Sequence, residues 1–503
     1  MSANDAYAEL IKRTREVNLI ARCAAVLHWD QETNMPKGGG QYRGEQMAYL
    51  SGLAHKKSTD PEIGELLSQT ENSDLVKDEF SDEAVNIREI RRDYDKSVKV
   101  PQKLVEEIAR TRTISQQVWV EARQKSDFSL FLPNLEKIIK LDRELADHLG
   151  YEKEAYDALL DNYEPGMTCE LVSKTFADLR DELVKLVAAI TASGKKPNMA
   201  IVEQDFDVHR QKIFGQEAAA AIGYNFHDGR LDISTHPFTA GLGPHDTRIT
   251  TRYNPKHLGQ AFFGTMHEGG HAIYDQNLDS KHFGTPRGEF VSLGIHESQS
   301  LMWENMVGRS RPFWRHFFPR ARQVFPEALA GVAFDDFFFA INNVRPSFIR
   351  VEADEVTYNL HIMLRFEIEL AFLRGELAPK DIPGAWNDKF KDYLGITPPD
   401  DAQGCLQDMH WSSAVIGYFP TYALGNLYGA QFFAKAREDM PDLDEQFAAG
   451  DFSELKNWLV KNIHLHGKRY RAEKLVEVVT GRRLSHQPAV NYLKTKYGEL
   501  YGL

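Results

Sequence analysis

The chain has 503 residues, 42% of them hydrophobic and 11% aromatic, enough to bury a large core. Its 73 acidic against 60 basic side chains give a formal charge of -13, which argues against general binding to nucleic acid or anionic membranes. Three widely spaced cysteines, Cys23, Cys169 and Cys405, form no C-x-x-C pair and argue against a disulfide framework.

The opening stretch, MSANDAYAELIKRTREVN, has no apolar segment after its charges and does not read as a secretory signal. No apolar run approaches the ~20 residues of a membrane span, so a cytoplasmic location is expected. In PQKLVEEIARTRTISQQVWVEARQKSD, Leu104, Ile108, Ile114 and Val118 predict one apolar face of a long helix. Leu171, Phe176, Leu179, Leu183 and Leu186 predict another, stopped by Gly194. The pattern then changes over residues 228–254. Leu231-Asp-Ile233 and Arg248-Ile-Thr-Thr-Arg252 alternate like strands among Gly and Pro, which predicts a small sheet.

Helical patterns resume over residues 292–306, 356–373 and 418–436. The basic and aromatic stretch RSRPFWRHFFPRARQVFP, residues 309–326, has a composition able to stack on bases. In so acidic a chain it is expected to pack its rings in the core or at a subunit contact instead. No repeat, low-complexity segment or linker divides the chain. One mainly α-helical catalytic domain over residues 1–503 is expected, with lobes around a cleft.

The segment TMHEGGHAIYD carries the chemistry. In a helix, residues four apart differ by about 40° in direction and lie one turn apart, so His267 and His271 can share one metal ion. Glu268 points aside but stays near water bound to that ion. A hydrolytic zinc site takes three protein ligands and keeps one position open. The candidate third ligand is Glu297, 26 residues after His271 on a second predicted helix. Its neighbour His296 competes, but adjacent helical residues point about 100° apart, so one of the two faces the ion. H-E-x-x-H arises by chance in roughly four of a hundred chains of this composition, so context must decide. Gly269-Gly270 supplies some: each glycine costs a helix about 1 kcal/mol relative to Ala, which suggests that another backbone or a substrate approaches closely there.

Six blocks, in order, resemble the M32 family of metallocarboxypeptidases, the carboxypeptidase Taq type. They are His236-Pro237-Phe238, Asp246-Thr-Arg248-Ile-Thr250, His267-Glu268-Gly-Gly-His271, and His296-Glu297-Ser298-Gln299. Ile349-Arg350-Val-Glu-Ala353-Asp354 and Gly404-Cys-Leu-Gln407-Asp408-Met-His410-Trp411 complete the set. LHWDQETNMP and YFPTYALGNLYGAQ extend the resemblance over nearly the whole chain. It implies a large helical, two-lobed, neurolysin-like fold around a deep cleft, with a small β-sheet beside the active site. It also implies a homodimer that releases single amino acids stepwise from peptide C-termini, with broad specificity but poorly where proline is involved.

On this reading His267, His271 and Glu297 hold one zinc ion per chain, with cobalt or manganese as possible substitutes, and a metal-bound water attacks the scissile carbonyl. Glu268 takes the proton of that water and later delivers one to the leaving amine. His410 and Tyr422 are candidate oxyanion donors. Arg350, in preference to Arg248, is the candidate fork for the terminal carboxylate, although Asp354 at i+4 offers Arg350 an internal partner. His236 either binds substrate or braces the sheet. Asp408, Asp354 and Asp246 are candidate partners of nearby histidines or arginines. The alternative is an oligopeptidase or dipeptidyl carboxypeptidase on the same metal site. A non-catalytic, metal-stabilised protein would give Glu268 no role.

Overall fold

The computed structural model describes all 503 residues. It contains twenty α-helices and one three-stranded sheet, so the fold is mainly α. No helix is long and apolar enough to cross a membrane. The backbone packs into two compact units, each drawn from three stretches of chain. The first comprises residues 1–98, 198–341 and 432–483; the second, 99–197, 342–431 and 484–503.

The sheet belongs to the first unit. Its strands are β1 (Leu231–Ile233), β2 (Thr239–Gly243) and β3 (Asp246–Thr251). β3 is central, parallel to β1 and antiparallel to β2. β2 reads TAGLG, too small and glycine-rich to announce itself as a strand. At the first of its two glycines, Gly241, a Cβ would lie 2.6 Å from an oxygen of Asp275, so that side chain would have to shift. The long helix Ala3–Thr33 docks here through Trp29, which is buried beneath the guanidiniums of Arg230 and Arg248 at 5.1 and 4.3 Å from its ring centre.

Two helices of this unit matter most. Leu258–Gln276 is capped by His257, whose Nδ1 accepts from the N–H groups of Gly259 and Gln260, and it is buried on most sides. Leu293–Leu301 is capped by the Ser292 hydroxyl, which accepts from the Ile295 N–H at 3.1 Å. It then widens into a π-helical turn, Met302–Val307. The aromatic stretch that follows forms helix Arg311–Val324, with Phe313, Trp314, Phe317 and Phe318 buried against Phe262, Phe214 and Phe337. These rings are core, as expected.

The second unit corrects one expectation. In helix Gln102–Lys125 the buried residues are Leu104, Thr111, Ser115 and Ala122, whereas Ile114 is 49% exposed. Ten residues of helix turn through about 1000°, which puts Ile114 roughly 80° away from Leu104. Small polar residues complete the true face. Helix Cys169–Ala192 behaves as expected: Phe176, Leu179, Leu183 and Leu186 are buried, and Gly194 follows with φ +67°. Helix Tyr358–Arg374 is buried nearly all round, charged residues included, and ends at Gly375 with φ +79°.

The two glycines between the histidines differ sharply. A Cβ on Gly270 would lie 2.7 Å from Gln299 O and Ser300 Cα, both backbone atoms of helix Leu293–Leu301. A Cβ on Gly269 would meet only Ile222 Cδ1, at an ordinary 3.5 Å. Opposite effects are therefore expected in thermal unfolding. Gly270→Ala should destabilise by about 1–3 kcal/mol through overpacking, while Gly269→Ala should be neutral or stabilise by up to about 1 kcal/mol.

Candidate metal centre and active site

The close crossing at Gly270 brings Glu297 to both histidines. Its Oε2 lies 3.3 Å from His271 Nε2 and 3.9 Å from His267 Nε2, and one donor atom from each of the three residues falls within 4.8 Å of the others. The imidazoles meet edge to face, with centroids 4.9 Å apart. His296 turns elsewhere. Its Nε2 faces Asp275 Oδ1 at 3.0 Å, and its ring stacks on His271 at 4.3 Å, so it packs against a candidate ligand rather than competing with Glu297.

A further carboxylate stands behind His267. Glu304 Oε2 lies 3.0 Å from His267 Nδ1, which leaves Nε2 to face Glu297, and Glu304 Oε1 accepts from Arg309 Nη2 at 3.2 Å. The Arg309 guanidinium is braced in turn over the ring of Phe263, 3.6 Å from its centre. Glu268 is buried, and its Oε2 accepts the Thr239 hydroxyl at 2.6 Å, so β2 fixes the carboxylate beside the first histidine. Burial pushes the His267 imidazole down, but Glu297, Glu304 and Glu268 outweigh it and raise it to about 10. Burial likewise opposes ionisation of Glu297, yet the two histidines bring it down to about 2. His271 is lowered, by burial first and by His296 second. Three carboxylates around two imidazoles leave an anionic surplus. Two imidazole nitrogens with one carboxylate oxygen form a donor set suited to a divalent cation.

With this geometry, the similarities to known proteins are decisive. Residues 9–497 match the model of the carboxypeptidase Taq (M32) metallopeptidase family. The chain belongs to that family. It is 47% identical to thermostable carboxypeptidase 1 of Thermus thermophilus, over the full length of both, and 40% identical to carboxypeptidase 1 of Bacillus subtilis, over 98% of each. The crystal structure of the M32 carboxypeptidase from Deinococcus radiodurans superposes with a TM-score of 0.96 at 40% identity, covering 99% of this chain and 100% of that one. The protein is therefore a metallocarboxypeptidase, a peptide hydrolase that uses a divalent metal ion, with His267, His271 and Glu297 as the candidate site.

In this M32 enzyme the remaining blocks knit together within their own units. In the first unit, the Thr250 hydroxyl accepts from the Phe238 N–H at 2.9 Å and lies 2.7 Å from the Ser234 hydroxyl, tying the His236-Pro-Phe block to β3. His236 itself is exposed, and its carbonyl accepts from Ser234. Arg248 donates through Nε and Nη2 to Asp246, both at 2.8 Å, a neutral pair on one face of β3.

The second unit gathers Arg350, Asp408, His410 and Tyr422. Arg350 is buried. It donates from Nη2 to Asp408 at 2.8 Å and from Nη1 to the Tyr358 hydroxyl at 3.1 Å, and its guanidinium lies 5.0 Å from the centre of the Tyr422 ring. His410 Nε2 lies 3.4 Å from the Tyr422 hydroxyl, and Tyr422 occupies the first turn of helix Pro420–Asp439, as its sequence context suggested.

Sequence reasoning missed Arg365. It is fully buried and holds the second oxygen of Asp408 through Nε at 2.7 Å, so one carboxylate serves two guanidiniums. Burial opposes the charge on Asp408, but the two arginines overcome it and hold the group far below the usual carboxylate range. Burial and the two arginines keep His361 neutral. The set therefore carries a net positive charge. Thr239 and Glu304 were missed too. Only Glu304 left a trace in the sequence, repeating Glu297 at i+7.

Glu304 fixes the orientation of His267 and adds negative charge behind it. Glu304→Gln should weaken metal affinity by about 10–100-fold, measured by chelator competition, because the outer hydrogen bond sets the ligand's tautomer and basicity.

Proposed function

We propose that this enzyme removes single amino acids stepwise from peptide C-termini, with broad specificity, using a divalent ion for which zinc suits the donor set. The reading is carried by the buried Arg350–Asp408–Arg365 set. Two guanidiniums share one carboxylate, so an anion is still called for, and a peptide C-terminus is such an anion. Arg248 is satisfied by Asp246 alone, which is why Arg350 is preferred.

A divalent ion held by His267, His271 and Glu297 supplies Lewis acidity, acidifying water and polarising the scissile carbonyl. Glu268 accepts the proton of the attacking water and returns one to the leaving amine. The Thr239 hydroxyl keeps that carboxylate aimed as it exchanges protons. Tyr422 and His410 donate to the oxyanion as charge builds on the former carbonyl oxygen. Arg350 binds the terminal carboxylate. Arg248 and its block brace the sheet with His236-Pro-Phe, and His236 is offered to substrate from that brace. The enzyme acts on peptides as a cytoplasmic homodimer.

The test is mass spectrometry of a time course on one peptide, as free acid and as amide, with wild type and Glu268→Gln assayed for metal. Wild type should give a ladder losing one residue at a time from the free acid and little from the amide. Glu268→Gln should keep its metal and fall by about 10²–10⁴-fold in rate. Dipeptides, or equal cleavage of the amide, would favour the oligopeptidase or dipeptidyl carboxypeptidase reading and leave Arg350 a structural residue.

A further inference from the structure

One buried acid of the second unit, Glu369, has no part in the chemistry assigned above. It lies on helix Tyr358–Arg374, one turn beyond Arg365, and is fully buried. Its Oε1 accepts the indole N–H of Trp411 at 2.9 Å. Its Oε2 accepts the Tyr156 hydroxyl at 2.8 Å and the Gly417 N–H at 3.1 Å. Two of these three donors belong to the segment that carries Asp408 and His410 and leads into Tyr422.

That segment has no helix or strand ladder of its own between Leu394 and Pro420. It also contains three left-handed residues, Gly395 at φ 70°, Ala414 at φ 51° and Gly417 at φ 92°, and a Cβ on Gly417 would press to 3.0 Å on the backbone of Leu159 and Leu160. Its backbone bonds are those of local turns, such as Ser413 N–H to Met409 O and Val415 N–H to His410 O, so its placement depends on contacts from other elements. Trp119 donates to the Leu406 carbonyl and Gln116 to the Ser413 hydroxyl, and one further helix acts twice: Arg365 grips Asp408, and Glu369 grips Trp411 and Gly417. Burying a carboxylate is costly unless it is well bonded, and an apolar side chain would fill the same space at lower cost. Burial lifts Glu369 to about 7, against the pull of its three donors and Arg365. Burial, and then Glu369, push Asp142 far up as well.

We infer that Glu369 is a positioning residue of the carboxypeptidase reaction. Its carboxylate ties Trp411 and Gly417 to the Arg365 helix and so fixes His410 and Asp408 beside Tyr422 and Arg350. The inference rests on the substrate-binding role proposed for Arg350, His410 and Tyr422.

Glu369→Gln tests it. The amide keeps the shape but must turn its NH2 toward at least one donor, so the clamp loses a bond and gains a repulsion. The full-length, metal-loaded enzyme is assayed on a free-acid peptide at about pH 8.5, where the wild-type carboxyl is ionised. Metal content and thermal midpoint are measured in parallel, with Arg350→Lys and Trp411→Phe alongside. Glu369→Gln should keep its metal and raise KM about tenfold, and Trp411→Phe, which removes one donor and spares the carboxylate, should raise KM less. The inference is overturned if both variants keep kcat and KM within about twofold of wild type while only the midpoint falls, since Glu369 would then be glue. If Arg350→Lys raises KM while those two do not, positioning fails and the substrate reading stands. If Arg350→Lys leaves KM unmoved, the substrate reading fails and takes the inference with it. Should Glu369→Gln not fold, Trp411→Phe decides alone.

Discussion

Glu297 reaches His267 and His271 only because two helices meet backbone to backbone at Gly270. The room for any other residue there is filled by Gln299 O and Ser300 Cα at 2.7 Å. A glutamate side chain is short, and a larger residue at the crossing would push its helix back by a good fraction of an ångström. The 3.3 Å approach of Glu297 to His271 would open with it. The same crossing places Glu304, because the helix continues from Leu301 into the π-turn that bears it. Candidate metal ligand and orienting carboxylate thus depend on one missing Cβ. The about 1 kcal/mol of helix propensity lost at Gly270 is the cost of that approach.

Electrostatics divides the functional residues into two groups of opposite sign. In the first unit, carboxylates outnumber cations around His267 and raise its imidazole above the usual range. In the second, guanidiniums outnumber carboxylates around Asp408. Neither imbalance would be tolerated deep in a protein without purpose, since unpaired buried charge is among the costliest features a fold can carry. The first group is a candidate site for the family's divalent cation. The second, in the proposed reading, is matched by the carboxylate at the end of a peptide. Each group is stable because its charges are bridged, by Glu304 between His267 and Arg309 and by Asp408 between Arg350 and Arg365.

Much of this was legible in the sequence, and the reason is geometric. His267 and His271 lie within one helical turn, where direction follows from spacing alone. The choice between Glu297 and His296 follows from the same rule once one of them faces the histidines. The ordered motif blocks gave the family and the helical fold. What stayed hidden depended on contacts across the chain. Ile114 looked like part of an apolar face because periodicity counts hydrophobic residues, whereas the buried face is completed by Thr111 and Ser115. β2 is a strand because β3 pairs with it, not because TAGLG favours one. Thr239, Arg365 and Glu369 have partners 29, 43 and 42 residues away, and no local pattern records such pairings.

Arg350 shows where spacing rules stop. Asp354 follows it by four residues, the interval at which a helix brings opposite charges together. The interval has that meaning only if the backbone between is α-helical. Here Arg350–Glu352 form a single 3-10 turn, and Ala353 is extended at ψ 145°, so the fourth residue faces another way. Asp354 instead accepts the N–H groups of Val356, Thr357 and Arg345 and the Thr357 hydroxyl, closing the entry to the next helix. With those acceptors filled it needs no cation. Arg350 finds its carboxylate 58 residues later, in a segment without regular structure that a second arginine also grips. A spacing rule carries chemical information only through the conformation that intervenes. Where the chain leaves helix and strand, it is the buried charges themselves, by demanding partners, that choose the fold around them.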